Sequence, residues 1–136
     1  MKIYVGCALK NAPEEYKEYI ASFKEKLRSI EGVTILDFIN NPNATPKEIY
    51  RNDIHGCVAD CDLMIADFSH PSLGLGYEVS TMLEKRNMPV IGIAHKDAIV
   101  SFLILGIIND NFSYDTYGSV AEMFEIAENK IQKFLK

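Results

Sequence analysis

The sequence predicts an α/β fold, a flavodoxin-like or Rossmann-like three-layer sandwich with a parallel sheet of about five strands. Short apolar segments alternate along the chain with longer segments whose apolar residues recur every three or four positions. The first pattern is typical of buried strands and the second of amphipathic helices. Their alternation favours a parallel sheet covered by helices on both faces. The chain has 136 residues, and we expect a single domain over residues 1–136.

The first third of the chain predicts two strands with a helix between them. The first strand is assigned to residues 3–8. A helix follows Pro13, and Gly32 ends it. The second strand is assigned to residues 33–38, and the Asn-Asn-Pro-Asn segment at 40–43 has the composition of a turn.

A capping box predicts where the second helix begins. Thr45 takes the N-cap position, Pro46 the first helical position and Glu48 the third. This helix is predicted to run to about residue 60. The later elements are expected in this order: a buried strand at 63–66, a helix from 73–76 to about 86, a strand at 89–94, a short apolar helix at 99–105, a weak edge strand at 112–114, and a last helix whose apolar stripe starts at Val120.

The composition narrows the classes of function. The chain carries 14 basic and 19 acidic side chains, and its formal net charge of −5 disfavours binding to a nucleic-acid polymer. One small anion can still bind at a helix N-terminus without net positive charge. The most apolar segment, 99–108, is about half the length of a membrane span, so no membrane partner is expected. Three cysteines without framework spacing indicate a reduced protein, which we expect to be cytoplasmic.

Ligands of parallel sheets bind beyond the carboxyl ends of the strands, near the switch in strand order. Three predicted segments lie there, namely 6–10, 37–43 and 67–78. The last contains Pro-Ser-Leu-Gly-Leu-Gly-Tyr-Glu at 71–78, where backbone amides and the Ser72 hydroxyl suit an anion and two glycines allow close approach. A helix start that Ser72 simply caps explains the same segment equally well.

Two carboxylates are candidates for catalysis. Glu78 is about one turn into the third helix, and a carboxylate held near a sugar anomeric carbon could act as a nucleophile and form a glycosyl ester. Asp53, on the second helix, could protonate or hydrogen-bond the leaving group. From its spacing alone, a solvated aspartate on the helix surface is the better explanation for Asp53.

The remaining polar residues receive simpler assignments. His55, Cys57 and Cys61 do not share one helix face and have no fourth ligand nearby, so neither a metal nor a cofactor is expected. Asp67, at the carboxyl end of the third strand, is assigned to the sugar hydroxyls. The aromatic cluster around Tyr117 is assigned to packing of the edge strand.

Three motifs occur in order along nearly the whole chain. They are Ile-Tyr-Val-Gly at 3–6, Asn-Asp-Ile-His-Gly at 52–56 and Gly-Leu-Gly-Tyr-Glu at 74–78. Together they resemble the nucleoside 2-deoxyribosyltransferase-like family. Segment 71–78 is more similar to its 2'-deoxynucleoside 5'-phosphate N-hydrolase branch, because the base-exchanging transferases usually carry an acidic residue at the position of Ser72.

The resemblance implies a role for each matching residue. Glu78 would be the nucleophile, Asp53 the acid that assists the departing base, and Tyr4 the residue that orients Glu78 by a hydrogen bond. The substrate-binding residues would be Ser72, Gly74, Gly76, Gly6, Ala8 and, from the other subunit of a homodimer, Ser101. The apolar segment 99–108 also favours an interface between copies of the chain.

Two departures from the hydrolase pattern weaken the prediction that the substrate is phosphorylated. The spacing from Asp53 to Asp62 is one residue longer than in the hydrolases. Ala8 occupies the position of a serine in the first loop, so one phosphate donor is missing. Glycosidic chemistry is therefore better supported than phosphate specificity.

The sequence leads to one main hypothesis and two alternatives. The main hypothesis is an enzyme that cleaves (deoxy)nucleoside 5'-monophosphates to free base and sugar 5-phosphate through a covalent glycosyl-Glu78 intermediate. The first alternative is a nucleoside 2-deoxyribosyltransferase that exchanges bases on unphosphorylated deoxynucleosides, which Ser72 and Ser101 disfavour. The second is a non-catalytic nucleotide sensor, against which the joint presence of Tyr4, Asp53 and Glu78 argues.

Overall fold

A computed structural model describes residues 1–39 and 41–136. Within them the chain forms a five-stranded sheet of order β2-β1-β3-β4-β5, and every neighbouring pair is parallel. The strands are β1 (Lys2–Cys7), β2 (Thr34–Leu36), β3 (Leu63–Asp67), β4 (Val90–His95) and β5 (Phe112–Tyr117). The order switches direction between β1 and β3, and the predicted flavodoxin-like α/β fold is confirmed.

The helices of the described residues follow the predicted order. They are α1 (Glu14–Arg28), α2 (Pro46–Tyr50), α3 (Leu73–Ser80), α4 (Phe102–Leu105) and α5 (Val120–Leu135). α2 continues into a π-helical segment, Arg51–Val58, and α3 into another, Thr81–Lys85. π-Helical turns are rare in proteins in general, and those that occur are often found at functional sites. None of the helices in residues 1–39 and 41–136 is long and apolar enough to cross a membrane.

Each face of the sheet carries its own apolar core, because successive strand residues point to opposite faces. On one face, Ile3 and Val5 of β1 pack under α1 and α5, and this core includes Phe23, Leu27, Met123 and Ile131. On the other face, Tyr4 and Met64 pack under α3 and the π-helical segment Arg51–Val58, and this core includes Cys57, Val58, Leu75, Val79 and Met82. The three layers are therefore helix, sheet and helix.

Local signals placed several element boundaries correctly. The capping box is present, with the Glu48 amide donating to Thr45 Oγ1 at 3.2 Å and the Thr45 amide donating to Glu48 Oε2 at 3.1 Å. In the predicted turn at 40–43, Asn40 lies outside the described residues. The Asn43 amide donates to Asn41 Oδ1 at 2.9 Å, which is turn geometry.

The predicted boundaries of β1, β3 and β4 differ from the structure by one residue, and those of three other elements differ by more. β2 covers only Thr34–Leu36, because this edge strand pairs with β1 only from Lys2 to Tyr4. β5 extends to Tyr117 rather than ending near 114, because its pairing with β4 continues to His95. α4 starts at Phe102 rather than 99, since Ser101 caps it by accepting from the Leu103 amide at 3.3 Å.

The centre of β4 gives a test of this packing. A Cβ at Gly92 would lie 2.9 Å from the Phe112 ring and 3.1 Å from the Phe68 ring. We therefore expect Gly92→Ala to lower the free energy of unfolding by about 1–3 kcal/mol in a urea titration. Gly76→Ala is the matched control, because no atom lies within 4 Å of a Cβ there and the helix should gain up to about 1 kcal/mol. Equal stability of Gly92→Ala and wild type would contradict the described packing.

Candidate active site

Glu78 lies on the second turn of α3 and faces the end of β1. Ser72 caps α3, its Oγ accepting from the Leu75 amide at 3.2 Å. Leu75 and Val79 bury the inner side of the helix against the sheet. This arrangement turns the Glu78 carboxyl towards Gly6, where a Cβ would lie 3.6 Å from Glu78 Oε2.

Gly6 allows α3 to approach β1 this closely. A Cβ at Gly6 would lie 2.6 Å from Met64 Cε and 2.8 Å from Leu75 Cδ1, both shorter than real contacts of that kind. The predicted site glycine is thus next to the predicted nucleophile. Any side chain at this position would displace the ends of Met64 and Leu75, so packing favours glycine there independently of any ligand.

The Glu78 carboxyl is electrostatically unusual. Its Oε2 atom is buried and has no hydrogen-bond partner among the described residues. Burial raises the pKa of Glu78 to about 7, the neighbouring Tyr4 hydroxyl opposes this shift, and the charge of Asp53 adds to it. Perturbed pKa values and unpaired buried polar atoms are enriched at functional sites. Near neutral pH this carboxyl can both hold and release a proton.

Tyr4 lies beneath Glu78 in the core of the α2 and α3 face. It is almost completely buried. Burial and the neighbouring Glu78 carboxylate raise the pKa of Tyr4 far above its ordinary range, so its hydroxyl stays protonated. The structure thus brings Tyr4 and Glu78 together, as the resemblance implies.

Asp53 shares a cavity with Glu78. It lies on the π-helical segment that continues α2, half-buried, and accepts a hydrogen bond from Asn52 Nδ2 at 2.9 Å. The cavity has a volume of about 440 Å³ and is lined by Pro46, Ile49, Tyr50, Asp53, Ile54, Gly74, Tyr77 and Glu78. The charge of Asp53 raises the pKa of both Glu78 and Tyr4. The spacing favoured a solvated aspartate on the helix surface, and in the structure Asp53 is only partly exposed.

Two aromatic residues of this cavity were missed in the sequence. The Tyr50 and Tyr77 rings lie edge to face with their centroids 6.3 Å apart, and both are partly exposed. The position of Tyr77 directly before Glu78 was a usable signal. Tyr50 had none, because the contact joins two helices distant in sequence.

A second cavity adjoins the start of α3. It has a volume of about 600 Å³, and its lining includes Ser72, Gly76, Ser101 and the apolar side chains of Leu73 and Ile99. Ser72 and Gly76, both expected at the phosphate, therefore line this cavity together with Ser101 of the same chain. The resemblance instead implied that Ser101 reaches the site of the neighbouring subunit.

Ala8 is not part of either cavity. It is buried and lines a groove between α1 and the end of β2, together with Lys24, Asp37 and Phe38. The first loop turns towards α1 directly after β1. The expected contact of Ala8 with the same ligand group as Ser72 is not supported by this placement.

The assignment of Asp67 to sugar hydroxyls is wrong. Asp67 is 0% exposed. Its Oδ1 accepts from the Tyr16 hydroxyl and the Ser69 amide, both at 2.9 Å, and its Oδ2 accepts from the Tyr117 hydroxyl at 2.6 Å. Tyr117 accordingly does more than pack the edge strand. No sequence spacing signals contacts between residues about fifty positions apart.

The candidate metal cluster does not form. His55 is exposed and packs edge-on against Tyr50, whereas Cys57 and Cys61 are buried. The Cys57 thiol donates to the Asp37 carbonyl at 3.3 Å. In residues 1–39 and 41–136, no group of three or more His, Cys, Asp or Glu side chains is arranged to hold a metal ion.

The pKa of Glu78 predicts how stability depends on pH. Folding raises this pKa from an ordinary 4.5 to about 7, so the folded state binds the proton more tightly than the unfolded state. The stability that the proton provides is complete below about pH 4.5 and is lost as the pH rises to about 7. Between pH 4 and pH 8 the wild type should lose on the order of 3 kcal/mol relative to Glu78→Gln, measured by denaturant unfolding. Glu84→Gln is the control: Glu84 is exposed in the π-helical segment that continues α3, and the variant should show no such trend.

Comparisons with known proteins identify relatives of this chain. No family model matches the chain. A protein of Thermofilum pendens named "Putative 2'-deoxynucleoside 5'-phosphate N-hydrolase 1" is 30% identical, over 92% of this chain and 91% of its own length. A protein of Syntrophotalea carbinolica with the same name is 25% identical over 96% and 94%.

Two solved structures share the fold. The CMP N-glycosidase BcmB of Clostridium botulinum superimposes with a TM-score of 0.74 at 20% identity, covering 96% of this chain and 99% of its own. A 2-desoxiribosyltransferase from Leishmania mexicana gives a TM-score of 0.59 at 16% identity, covering 88% and 81%. The chain is an enzyme that belongs to the nucleoside 2-deoxyribosyltransferase-like family, on its 2'-deoxynucleoside 5'-phosphate N-hydrolase branch.

Proposed function

We propose that this enzyme hydrolyses the N-glycosidic bond of (deoxy)nucleoside 5'-monophosphates to free base and sugar 5-phosphate. The observation that supports this most directly is the buried, unpartnered Oε2 of Glu78 in a cavity that also contains Asp53. Two carboxylates at one cleft are the groups that retaining glycosidic cleavage uses. The names of the relatives favour a phosphorylated deoxynucleoside as substrate.

The first step is displacement of the base by Glu78. The ionised carboxylate attacks the anomeric carbon, so that a C–O bond forms and the C–N bond breaks with its electron pair on the base nitrogen. Asp53, in its protonated form, donates its proton to the base nitrogen as that bond breaks. Because the pKa of Glu78 is about 7, a large fraction of this carboxyl is ionised at neutral pH while its burial leaves it poorly solvated.

The second step releases the sugar. Water attacks the anomeric carbon of the glycosyl ester, the bond to Glu78 breaks, and Glu78 leaves as a carboxylate. Asp53, deprotonated in the first step, accepts the proton of the water. Tyr4 stays protonated throughout and keeps Glu78 oriented.

The start of α3 provides the binding site for the phosphate. The amides of a helix N-terminus and the Ser72 hydroxyl can bind an anion in a chain whose net charge is −5. Gly76 leaves open space where a Cβ would be, so the backbone there can be approached closely. Gly74 lines the cavity that holds Glu78 and Asp53.

The substrate is tested with matched panels. We expect base release from deoxynucleoside 5'-monophosphates, measured by chromatography, and much less from the same nucleosides without phosphate. Glu78→Gln should abolish turnover, and Asp53→Asn should lower kcat by about 10²–10⁴-fold, the usual contribution of a general acid. Glu84→Gln is the control and should retain full activity. Mass spectrometry of the quenched wild type should detect a glycosyl adduct on Glu78.

Two results would favour the alternatives. Exchange of bases on unphosphorylated deoxynucleosides, with an acceptor base present, would identify a deoxyribosyltransferase. Tight binding of nucleotides without turnover, unaffected by Glu78→Gln, would identify a sensor.

An exposed apolar patch supports a homodimer. Its residues lie in and around α4, and Leu73, Ile99, Phe102 and Ile108 are each at least 89% exposed. Contiguous apolar surface of this kind is typical of an interface between protein chains. Ser101 lies within the patch, so a second copy seated on it brings Ser101 near the partner's α3. We propose that this serine completes the partner's phosphate site.

The dimer is tested by size and by complementation. Wild type should have twice the chain's mass in light scattering, and Phe102→Glu should be a monomer because a buried charge disfavours the interface. If Ser101 acts across the interface, mixing the Glu78→Gln and Ser101→Ala variants should restore activity. In the mixed dimer, one site then combines Glu78 of the Ser101→Ala subunit with Ser101 of the Glu78→Gln subunit. Absence of rescue would place Ser101 in the site of its own chain.

A further inference from the structure

Asp67 is the most completely satisfied buried charge in the described chain, and the catalytic steps above do not use it. It ends β3 and accepts three hydrogen bonds, from the hydroxyls of Tyr16 in α1 and Tyr117 in β5 and from the amide of Ser69. We call Asp67, Tyr16, Tyr117 and Ser69 the Asp67 clamp. Hydrogen bonds to a buried carboxylate are stronger than those between neutral groups.

The clamp keeps its donors over the whole physiological pH range. Burial and the charge of Asp67 raise the pKa values of both Tyr16 and Tyr117 well above the ordinary range. Both hydroxyls therefore stay protonated and continue to donate. Tyr19 extends the network, because its hydroxyl lies 2.9 Å from that of Tyr117.

The clamp restrains the loop that leads to α3. The Phe68 amide donates to the Ile93 carbonyl at 2.8 Å. Ser69 Oγ accepts from the His95 amide at 2.8 Å and lies 3.1 Å from the Tyr117 hydroxyl. The His70 ring packs edge-on against Tyr16 with centroids 4.5 Å apart.

Every residue from Asp67 to His70 is thus held by β4, β5 or α1. Pro71 has a fixed φ and restricts the residue before it. The chain therefore reaches Ser72 along one path. The position of Ser72, and of the α3 amides after it, depends on contacts made on the opposite face of the sheet.

Glu78 is held by different contacts. Leu75 and Val79 pack α3 against the sheet, and the close approach at Gly6 sets its distance from β1. A disturbed clamp should therefore displace Ser72 more than Glu78. We propose that Asp67 is a positioning residue that sets the affinity for the 5'-phosphate and so the preference for phosphorylated substrates. This inference rests on the proposed function, in which Ser72 binds that phosphate.

Tyr117→Phe tests the clamp, because it removes one donor to Asp67 and leaves the ring in place. Tyr114→Phe is the matched control, since Tyr114 lies on the same strand and packs against the other core. For Tyr117→Phe we expect KM for the monophosphate to rise about ten-fold with kcat within two-fold, the scale of one hydrogen bond to a charged group. Calorimetry should show the same weakening for 2-deoxyribose 5-phosphate. The Ki of the matching unphosphorylated nucleoside should not change.

Several outcomes would overturn the inference. A purely structural role would lower the melting temperature of Tyr117→Phe and leave KM unchanged, or weaken both ligands equally. Tyr16→Phe, which removes the other hydroxyl, should reproduce the selective loss, so disagreement between the two variants also counts against it. A wild type that binds 2-deoxyribose 5-phosphate but cleaves no monophosphate would refute only the proposed function. A wild type that does not bind this ligand would refute the inference itself.

Discussion

The close approach of α3 to β1 at Gly6 is the constraint on which the site depends. A Cβ there would lie 2.6 Å from Met64 Cε and 2.8 Å from Leu75 Cδ1, so the ends of these side chains beneath the helix that carries Glu78 would have to shift. With glycine, the Glu78 carboxyl is buried against the end of the strand. Burial removes it from water, raises its pKa to about 7 and leaves Oε2 without a hydrogen-bond partner among residues 1–39 and 41–136. The unusual electrostatics of this carboxyl thus originate in packing.

Two buried carboxylates near the same edge of the sheet, Asp67 and Glu78, differ in how completely they are hydrogen-bonded. Asp67 accepts three hydrogen bonds and joins α1, β5 and the loop before α3. Glu78 is left under-satisfied, which costs stability because a buried polar atom without a partner forfeits its solvation. Folded proteins retain such destabilising groups mainly at functional sites. The satisfied carboxylate, Asp67, joins three elements of the fold, and the unsatisfied one, Glu78, is the group to which we assign the chemistry.

Local signals in the sequence were sufficient for most of the fold. Alternation of apolar segments predicted the parallel sheet, and the Thr45 capping box placed α2, because both depend on neighbouring residues alone. Segment 71–78 was identified as the site for the same reason. The boundaries of β2 and β5 were missed, because the length of a strand depends on the partner it pairs with. Asp67 was misassigned because its donors, Tyr16 and Tyr117, are about fifty residues away in opposite directions.

The sequence by itself determined the order of helices and strands, the family and the residues that carry the candidate chemistry, since short motifs record these directly. The tertiary structure decided where those residues lie relative to one another and how deeply each is buried. It placed Asp53 in one cavity with Glu78, buried the Glu78 carboxyl beside Gly6, separated Ala8 from the serines and enclosed Asp67. Burial, and with it desolvation and the pKa of a carboxyl, is a property of the groups that folding brings from elsewhere in the chain, and no local pattern contains it.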